Sequence, residues 1–457
     1  MKATTTALGK GLGKPSERRV VSQRSYPIIL KHSICYFTMS IMVGYSEHTF
    51  YTTAKNFKTK LMKNNIPNLN LIKLSCLILF MSYLGAINSV AILSLNKFGA
   101  IFLLFSAVLC QLIMLKLPDK FLLVNKHLFS SLIPLISLTV LFILFSKGNI
   151  KSFNNAFLVF LYITFMLYFY KIGQLDSSNF FKKYLINMLN LLSLPFIILF
   201  ILYPNYVASE NIIFSNPNTT GLYCGMLFLS LYLLTMDYKY KIGLFYILIG
   251  LGLIALSDSR TSLIAYIVSV TLVSFRAYFF KIRFLAKLII VALILLSIII
   301  IYLSVYADLG LLIGISSKIS QKNIESGRQL VWPLVLDKIT LKPWFGWGGG
   351  SSIEEVTGEK LSAHNLYIQI AYQLGIFGLI SIYSFYFILW KSILKNCTKQ
   401  NLNLMFSALG ILIFVVLIQN FEVTLFQNNI ALTLPLFGLL SYFYGRGMST
   451  TSTEVVS

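Results

Sequence analysis

The sequence predicts an all-α, polytopic membrane protein of about twelve transmembrane helices, with one large loop carrying a short interfacial helix. Three observations carry that prediction. The chain is 57% hydrophobic and only 12% charged, with mean hydropathy +0.77, whereas a soluble domain carries about 25% charge. Apolar runs of roughly 20 residues, the length that crosses a bilayer as a helix, recur from residue 71 to residue 445. Lys and Arg sit mostly in the short connections between these runs. The net charge of +23 therefore reads as a set of orientation signals, and nucleic-acid binding is not expected.

Residues 1–61 differ from the rest. They hold ten Lys or Arg against two acids, Glu17 and Glu47, and their apolar run from Tyr26 to Tyr45 is interrupted by Lys31 and His32. Met62-Lys63-Asn64-Asn65 looks like an ordinary start just before the first span. The first 61 residues are expected to be an over-extended reading frame or a basic cytoplasmic extension. Twelve apolar spans follow, near 71–93, 98–115, 128–146, 153–172, 184–203, 219–236, 241–257, 261–280, 284–306, 366–390, 402–420 and 427–445. They form one transmembrane domain, 62–446. The Ser/Thr-rich tail 447–457 is expected to be disordered.

Loop charge sets the orientation. The even-numbered connections carry fifteen Lys and Arg, among them Lys116, Lys182, Lys239, Arg283 and Lys395; the short odd-numbered ones carry four, Lys97, Lys147, Lys151 and Arg260. The cytoplasmic side of a membrane protein carries the positive excess. Both termini are therefore expected in the cytoplasm, and residues 307–365 form a large loop on the outer face. The cysteines, Cys35, Cys76, Cys110, Cys224 and Cys397, show no metal-ligand spacing, and none falls in an outer loop.

Three polar groups fall on that outer face. Ser257-Asp258-Ser259-Arg260 joins spans seven and eight, and its guanidinium offers a planar fork suited to phosphate oxygens. The plainer reading of Arg260 is a snorkelling boundary residue. Glu325-Ser326-Gly327-Arg328 opens a segment whose apolar residues Val331, Leu334, Val335 and Ile339 recur near helical spacing, as in a helix lying on the membrane surface. Lys342-Pro343-Trp344-Phe345-Gly346-Trp347-Gly348-Gly349-Gly350 then breaks that helix; such a glycine run could let backbone N–H groups approach an anion. Third comes His364-Asn365, followed by Gly375 and Gly378. Only one other histidine, His127, lies between residues 62 and 448. A neutral imidazole can take a proton from an alcohol, and Asn365 can orient a polar substrate. The alternative is a boundary histidine satisfied by a backbone carbonyl, with the glycines as close-packing points between helices. Asn216-Pro217-Asn218-Thr219-Thr220-Gly221 starts span six, and Gln419, Asn420, Glu422, Gln427, Asn428 and Asn429 surround the last outer loop; each also reads as a solvated turn.

In this order the pieces resemble the O-antigen ligase and polymerase superfamily of bacterial envelope glycan assembly. They are the Asn-Pro-Asn and Ser-x-Ser-Arg helix starts, Gly327-Arg328-x-x-x-Trp332, Lys-Pro-Trp-Phe-Gly-Trp-Gly, and His364-Asn365-x9-Gly375-x-x-Gly378. The likeness covers roughly residues 66–446. It implies an inner-membrane glycosyltransferase working on the periplasmic face, without metal, nucleotide sugar or other cofactor. The donor is a glycan on undecaprenyl diphosphate, and transfer inverts the anomeric centre. The acceptor is a hydroxyl of the next repeat unit in the polymerase branch, which we favour, or of the lipid A core in the ligase branch. A chain-length regulator is a further expected partner. His364 is the expected base, Arg260 and Arg328 bind the diphosphate, and Asn365, Asn218 and Glu325 are candidates for orienting substrate. The rival class is a twelve-span transporter or flippase. That class places ionisable residues near the midplane of broken, repeated helices, and these spans hold almost none.

Overall fold

The structure is a computed structural model. It describes residues 69–86, 104–113, 126–202 except 147 and 177, 217–236, 240–306, 328–358, 363–425 and 432–452. The atypical segment 1–61 lies outside the described residues. Within them all regular structure is helical, and no strand occurs.

In chain order the helices are α1 (Leu69–Gly85), α2 (Leu104–Ile113), α3 (Lys126–Leu144), α4 (Ile150–Leu175), α5 (Phe180–Leu202), α6 (Pro217–Thr235), α7 (Tyr240–Leu256) and α8 (Arg260–Ser274). Then follow α9 (Arg276–Lys281), α10 (Arg283–Tyr306), α11 (Arg328–Leu341), α12 (Glu354–Thr357), α13 (Leu366–Lys395), α14 (Leu402–Ile418) and α15 (Leu434–Ser452). A helix lies in each of the twelve expected apolar runs. By length and composition alone, α4, α5, α13 and residues Arg283–Ile300 of α10 are long and apolar enough to cross a membrane, and six more described helices are apolar but only 10–17 residues long.

Two glycines let the central pair meet. α4 packs along α15, where a Cβ on Gly173 would overlap the Tyr442 carbonyl oxygen and one on Gly445 would overlap that of Tyr170. Without a hydrophobic drive between helices in lipid, backbone approach of this kind is the main source of cohesion. Both α4 and α5 start on side-chain caps. Asn149 accepts from the Lys151 amide at 2.9 Å, and buried Asp176 accepts from the amides of Phe180 (2.9 Å) and Phe181 (3.2 Å). The Tyr442 hydroxyl donates to the same carboxylate at 2.7 Å.

Hydrogen bonds sort the connections into two ends. At one end, Asn149 Nδ2 donates to Gly350 O, Asn365 Nδ2 to Asn420 O, and Thr433 Oγ1 to Thr424 O. At the other, the Arg283 guanidinium donates to Cys397 O, Asn401 Nδ2 to Gly447 O, and Arg276 to Asn403. α8 packs on α14, with Val273 against Gly410 and Arg276 on Asn403, so the two run antiparallel. Arg260, at the start of α8, is thereby at the same end as the finish of α14. Around Cys397 burial pushes the thiol up to about 12, with Arg283 acting in the opposite direction, so this cysteine is poorly suited to react.

Three expectations change. The run Leu366–Lys395 is two helices, 366–374 and 376–395, joined at Gly375 with φ 63 and ψ −154. The chain doubles back there. The Tyr367 and Tyr383 rings stack at 4.9 Å, and a Cβ on Gly378 would touch Ile370 Cγ2 at 2.8 Å; in a continuous helix those residues would lie roughly 24 Å and 12 Å apart. The eighth span ends at Ser274 rather than near residue 280, with a bend at Phe275 before α9. The last helix runs on to Ser452, through residues expected to be disordered.

The turn and extended residues 343–348 fill the break at Gly375. The Trp347 and Gly348 amides donate to the carbonyls of Tyr372 (2.9 Å) and Gln373 (3.0 Å), while the Ile376 amide donates to Pro343 O at 2.8 Å and that of Phe377 to Trp344 O at 3.4 Å. A Cβ on Gly375 would overlap Trp344 O, and one on Gly346 would stand 2.5 Å from Tyr372 O. Gly375→Ala is expected to destabilise by more than about 2 kcal/mol, combining a backbone region open only to glycine with a main-chain clash. Gly358, at φ 69 with nothing within 4 Å of its missing Cβ, supplies the control: Gly358→Ala should cost about 1 kcal/mol. Thermal unfolding of the purified variants in detergent measures both, and equal shifts would contradict the docked strap.

Candidate functional site

The site is built outward from two buried neighbours. Ala363 is held by the Trp332 indole, which donates to its carbonyl at 2.7 Å. Asn365 caps the half-helix 366–374: its Oδ1 accepts from the amides of Tyr367 (2.9 Å) and Ile368 (3.1 Å), and its Nδ2 donates to Asn420 O at 2.9 Å. The Leu366 amide donates to Gln419 O at 2.9 Å. Between these fixed points His364 is in the left-handed region, with φ 46. A non-glycine residue pays about 1–2 kcal/mol for that conformation. The effect is to turn the imidazole outward: its side chain is 44% exposed, and Nδ1 lies 3.4 Å from Oε2 of Glu422, itself 15% exposed.

Glu422 stands on a rigid turn. Gln419 Nε2 donates to Thr424 Oγ1 at 2.5 Å, the Thr424 amide donates back to Gln419 Oε1 at 3.2 Å, and Thr433 Oγ1 donates to Thr424 O at 2.9 Å. Gln419, Asn420, Thr424 and Thr433 are all buried. The polar cluster after α14 is therefore a set of struts and not a solvated turn; Gln427, Asn428 and Asn429 lie outside the described residues. Sequence reasoning left Glu422 out of the site. The available signal was that no other acidic residue occurs between Lys399 and Thr453.

Arg260 opens α8 as an exposed residue, at the junction with α6. Its turn is tight: Asp258 has φ 54, the Ser257 hydroxyl donates to Ile254 O at 2.7 Å, and that of Ser259 to Asn218 O at 3.5 Å. Gly221 allows this approach, since a Cβ there would overlap the Ser259 Cβ. Exposed Asn218 is thus brought beside the Arg260 turn, with Pro217 as the first residue of α6. Arg328 is the first residue of α11, one helical turn before Trp332 and so one turn from the residue that anchors Ala363. α11 packs through Val331, Trp332 and Val335 against Ala363, Ile368 and Tyr372. Glu325 lies outside the described residues.

These contacts show how two of the expected motifs are used within the fold. Asn365 is fully buried, with both ends of its amide committed to the cap and to Asn420, so it fixes the backbone on either side of His364. Four amides of the glycine run, from Gly346 to Gly349, are taken up within the fold. Those of Gly346, Trp347, Gly348 and Gly349 donate to the carbonyls of Lys342, Tyr372, Gln373 and Phe145. Gly375 makes the fold-back of α13, and Gly378 lets its two half-helices pack closely.

The fold and composition define a multi-pass helical membrane protein. Residues 245–383 match the family model described as O-Antigen ligase. That stretch includes Arg260, Arg328, the strap and His364, and the match supports the O-antigen ligase/polymerase superfamily. No curated protein matches the chain.

Asn365→Ala is expected to lower stability by about 1–3 kcal/mol, through loss of the cap and an unpaired Asn420 carbonyl. His364→Ala, at a half-exposed side chain, should stay within about 0.5 kcal/mol of the parent. Paired melting curves check the contrast; an Asn365→Ala protein as stable as the parent would contradict the cap assignment.

Proposed function

We propose that the protein transfers an undecaprenyl-diphosphate-linked glycan to a sugar hydroxyl on the periplasmic face of the inner membrane. The observation that carries the reading is the presentation of His364: an imidazole turned outward by a strained backbone, beside a carboxylate, within the stretch that matches the O-Antigen ligase family. His364 takes the proton of the acceptor hydroxyl as its oxygen bonds to the anomeric carbon from the face opposite the leaving group. The bond from that carbon to the phosphate oxygen breaks, and the electron pair leaves with undecaprenyl diphosphate. Arg260 and Arg328 stabilise the charge that develops there through charge-assisted hydrogen bonds. Arg260 stands where the N-termini of α6 and α8 meet, and two helix dipoles add to its positive field.

The sorting of connections into two ends supports the orientation. The end that gathers Arg276, Arg283 and Lys395 is the cytoplasmic one by the positive-inside bias, and the His364 end faces the periplasm. A transporter fits less well. Its broken helix leaves main-chain groups to coordinate the cargo, whereas the carbonyls of Tyr372 and Gln373 are already taken by the strap. The polymerase branch is our first reading, on the modest length of the loop 307–365. The ligase branch is the second, favoured by the description of the matched family.

His364→Ala should reduce glycan transfer by about 10²- to 10⁴-fold with normal membrane insertion. Arg260→Ala or Arg328→Ala should cost on the order of 10²-fold in donor use, with poor rescue by Lys. Retained transfer in the histidine variant would remove the base, and unchanged donor use in both arginine variants would remove the diphosphate role. A lipopolysaccharide gel of a deletion strain separates the branches. Core carrying a single repeat unit marks a lost polymerase, and long chains held on the lipid carrier mark a lost ligase.

A further inference from the structure

We infer that Glu422 is the positioning residue of His364, the carboxylate that fixes its tautomer and holds the imidazolium formed during transfer. The inference rests on the glycan-transfer reading and deepens it. Glu422 Oε2 lies 3.4 Å from His364 Nδ1. That distance is long for a hydrogen bond, as is common before substrate tightens a site. With Nδ1–H donating to the carboxylate, the lone pair of the ring is on Nε2, the nitrogen directed to the acceptor hydroxyl. When Nε2 takes the hydroxyl proton the ring becomes a cation, and Glu422 is the charge that offsets it. The proton returns to water as product leaves, so the pair ends the cycle as it began.

The surroundings make this pairing a built feature rather than a surface coincidence. The two residues are 58 positions apart, yet their backbones are tied by Asn365 Nδ2 on Asn420 O and by the Leu366 amide on Gln419 O, both at 2.9 Å. The Glu422 amide donates to Ile418 O at 3.0 Å, which seats it on the last turn of α14. The Gln419–Thr424 pair closes the turn around it. Both partners are thus held at the backbone, and only the side-chain torsions remain to be set. A surface ion pair of two long, mobile side chains has none of this support and contributes little.

The test uses the full-length protein in detergent or nanodiscs, with undecaprenyl-diphosphate-linked glycan as donor and release of undecaprenyl diphosphate as readout. Glu422→Gln keeps the shape and removes the charge. It should lower kcat by about 10²- to 10⁴-fold with the donor KM within about threefold of the parent, and Glu422→Asp should recover part of the loss. Combined with His364→Ala, it should add little further loss, because the two act as a unit. Glu422→Gln at parental kcat, with His364→Ala inactive, would overturn the inference and leave the function standing. A loss in Glu422→Gln matched by a large fall in Tm and a rise in KM would also overturn it, in favour of a structural acid. Parental activity in His364→Ala would instead remove the glycan-transfer reading itself.

Discussion

A helix broken inside an apolar bundle must have its main-chain polar groups met by protein, because lipid offers no partner and each unmet group costs several kcal/mol. The break at Gly375 meets that requirement through residues 343–348, which bond two carbonyls and two amides around the bend. The strap is therefore a condition of the fold, and the loop between α10 and α13 is partly a structural element. Its docking has a directional consequence. Released from the axis of 376–395, the half-helix 366–374 doubles back, and its capped start meets the end of α14. His364 is delivered against Glu422 by the same bend that needs Gly346 and Gly375.

Hydropathy reads this chain well where burial is uniform along a helix and poorly where backbone torsion decides. Each expected apolar run holds a helix, because a run of that length has no other way to satisfy its backbone in lipid. The fold-back in 366–390 was invisible to the same signal. Leu, Ile and Tyr flank Gly375 on both sides, and an apolar average carries no information on φ. Gly375 and the Pro343–Gly348 segment both stood out as motifs, but their docking is a tertiary event between residues nearly thirty positions apart. The first residues of the tail, as far as Ser452, are helical for the opposite reason. Ser449 and Thr450 suggest disorder by composition, yet their hydroxyls bond back to the carbonyls of Arg446 and Gly447, and Asn401 ties Gly447 to the bundle.

The site shows a similar division. His364 and Arg260 stand out in sequence because ionisable residues at apolar boundaries are costly and few. Asn365 stood out too, but an asparagine that caps a helix and one that holds a sugar look identical in sequence. In the structure both amide ends are engaged internally, as a cap requires. Glu422 was hidden by distance along the chain and by the polar residues around it, which read as a solvated turn until their burial was known.

Backbone strain is distributed unevenly, and its distribution bears on function. Among the described residues three non-glycine positions have positive φ: Asn179, Asp258 and His364. Asparagine and aspartate both adopt that region with little penalty, and Asn179 lies in the connection that leads into α5 at the basic end. The other two belong to the opposite end, one immediately before Ser259-Arg260 and one the histidine itself. The strain at His364 gains no packing for its own side chain, which is nearly half exposed. Under the proposed glycan transfer, that strain is the cost of turning the imidazole toward an acceptor. That end also holds the strap, the struts behind Glu422 and the meeting of α6 with α8, so its rigidity is supplied by main-chain and buried polar contacts. A bundle whose only task was to cross a membrane would need neither the aimed imidazole nor the scaffold that holds it.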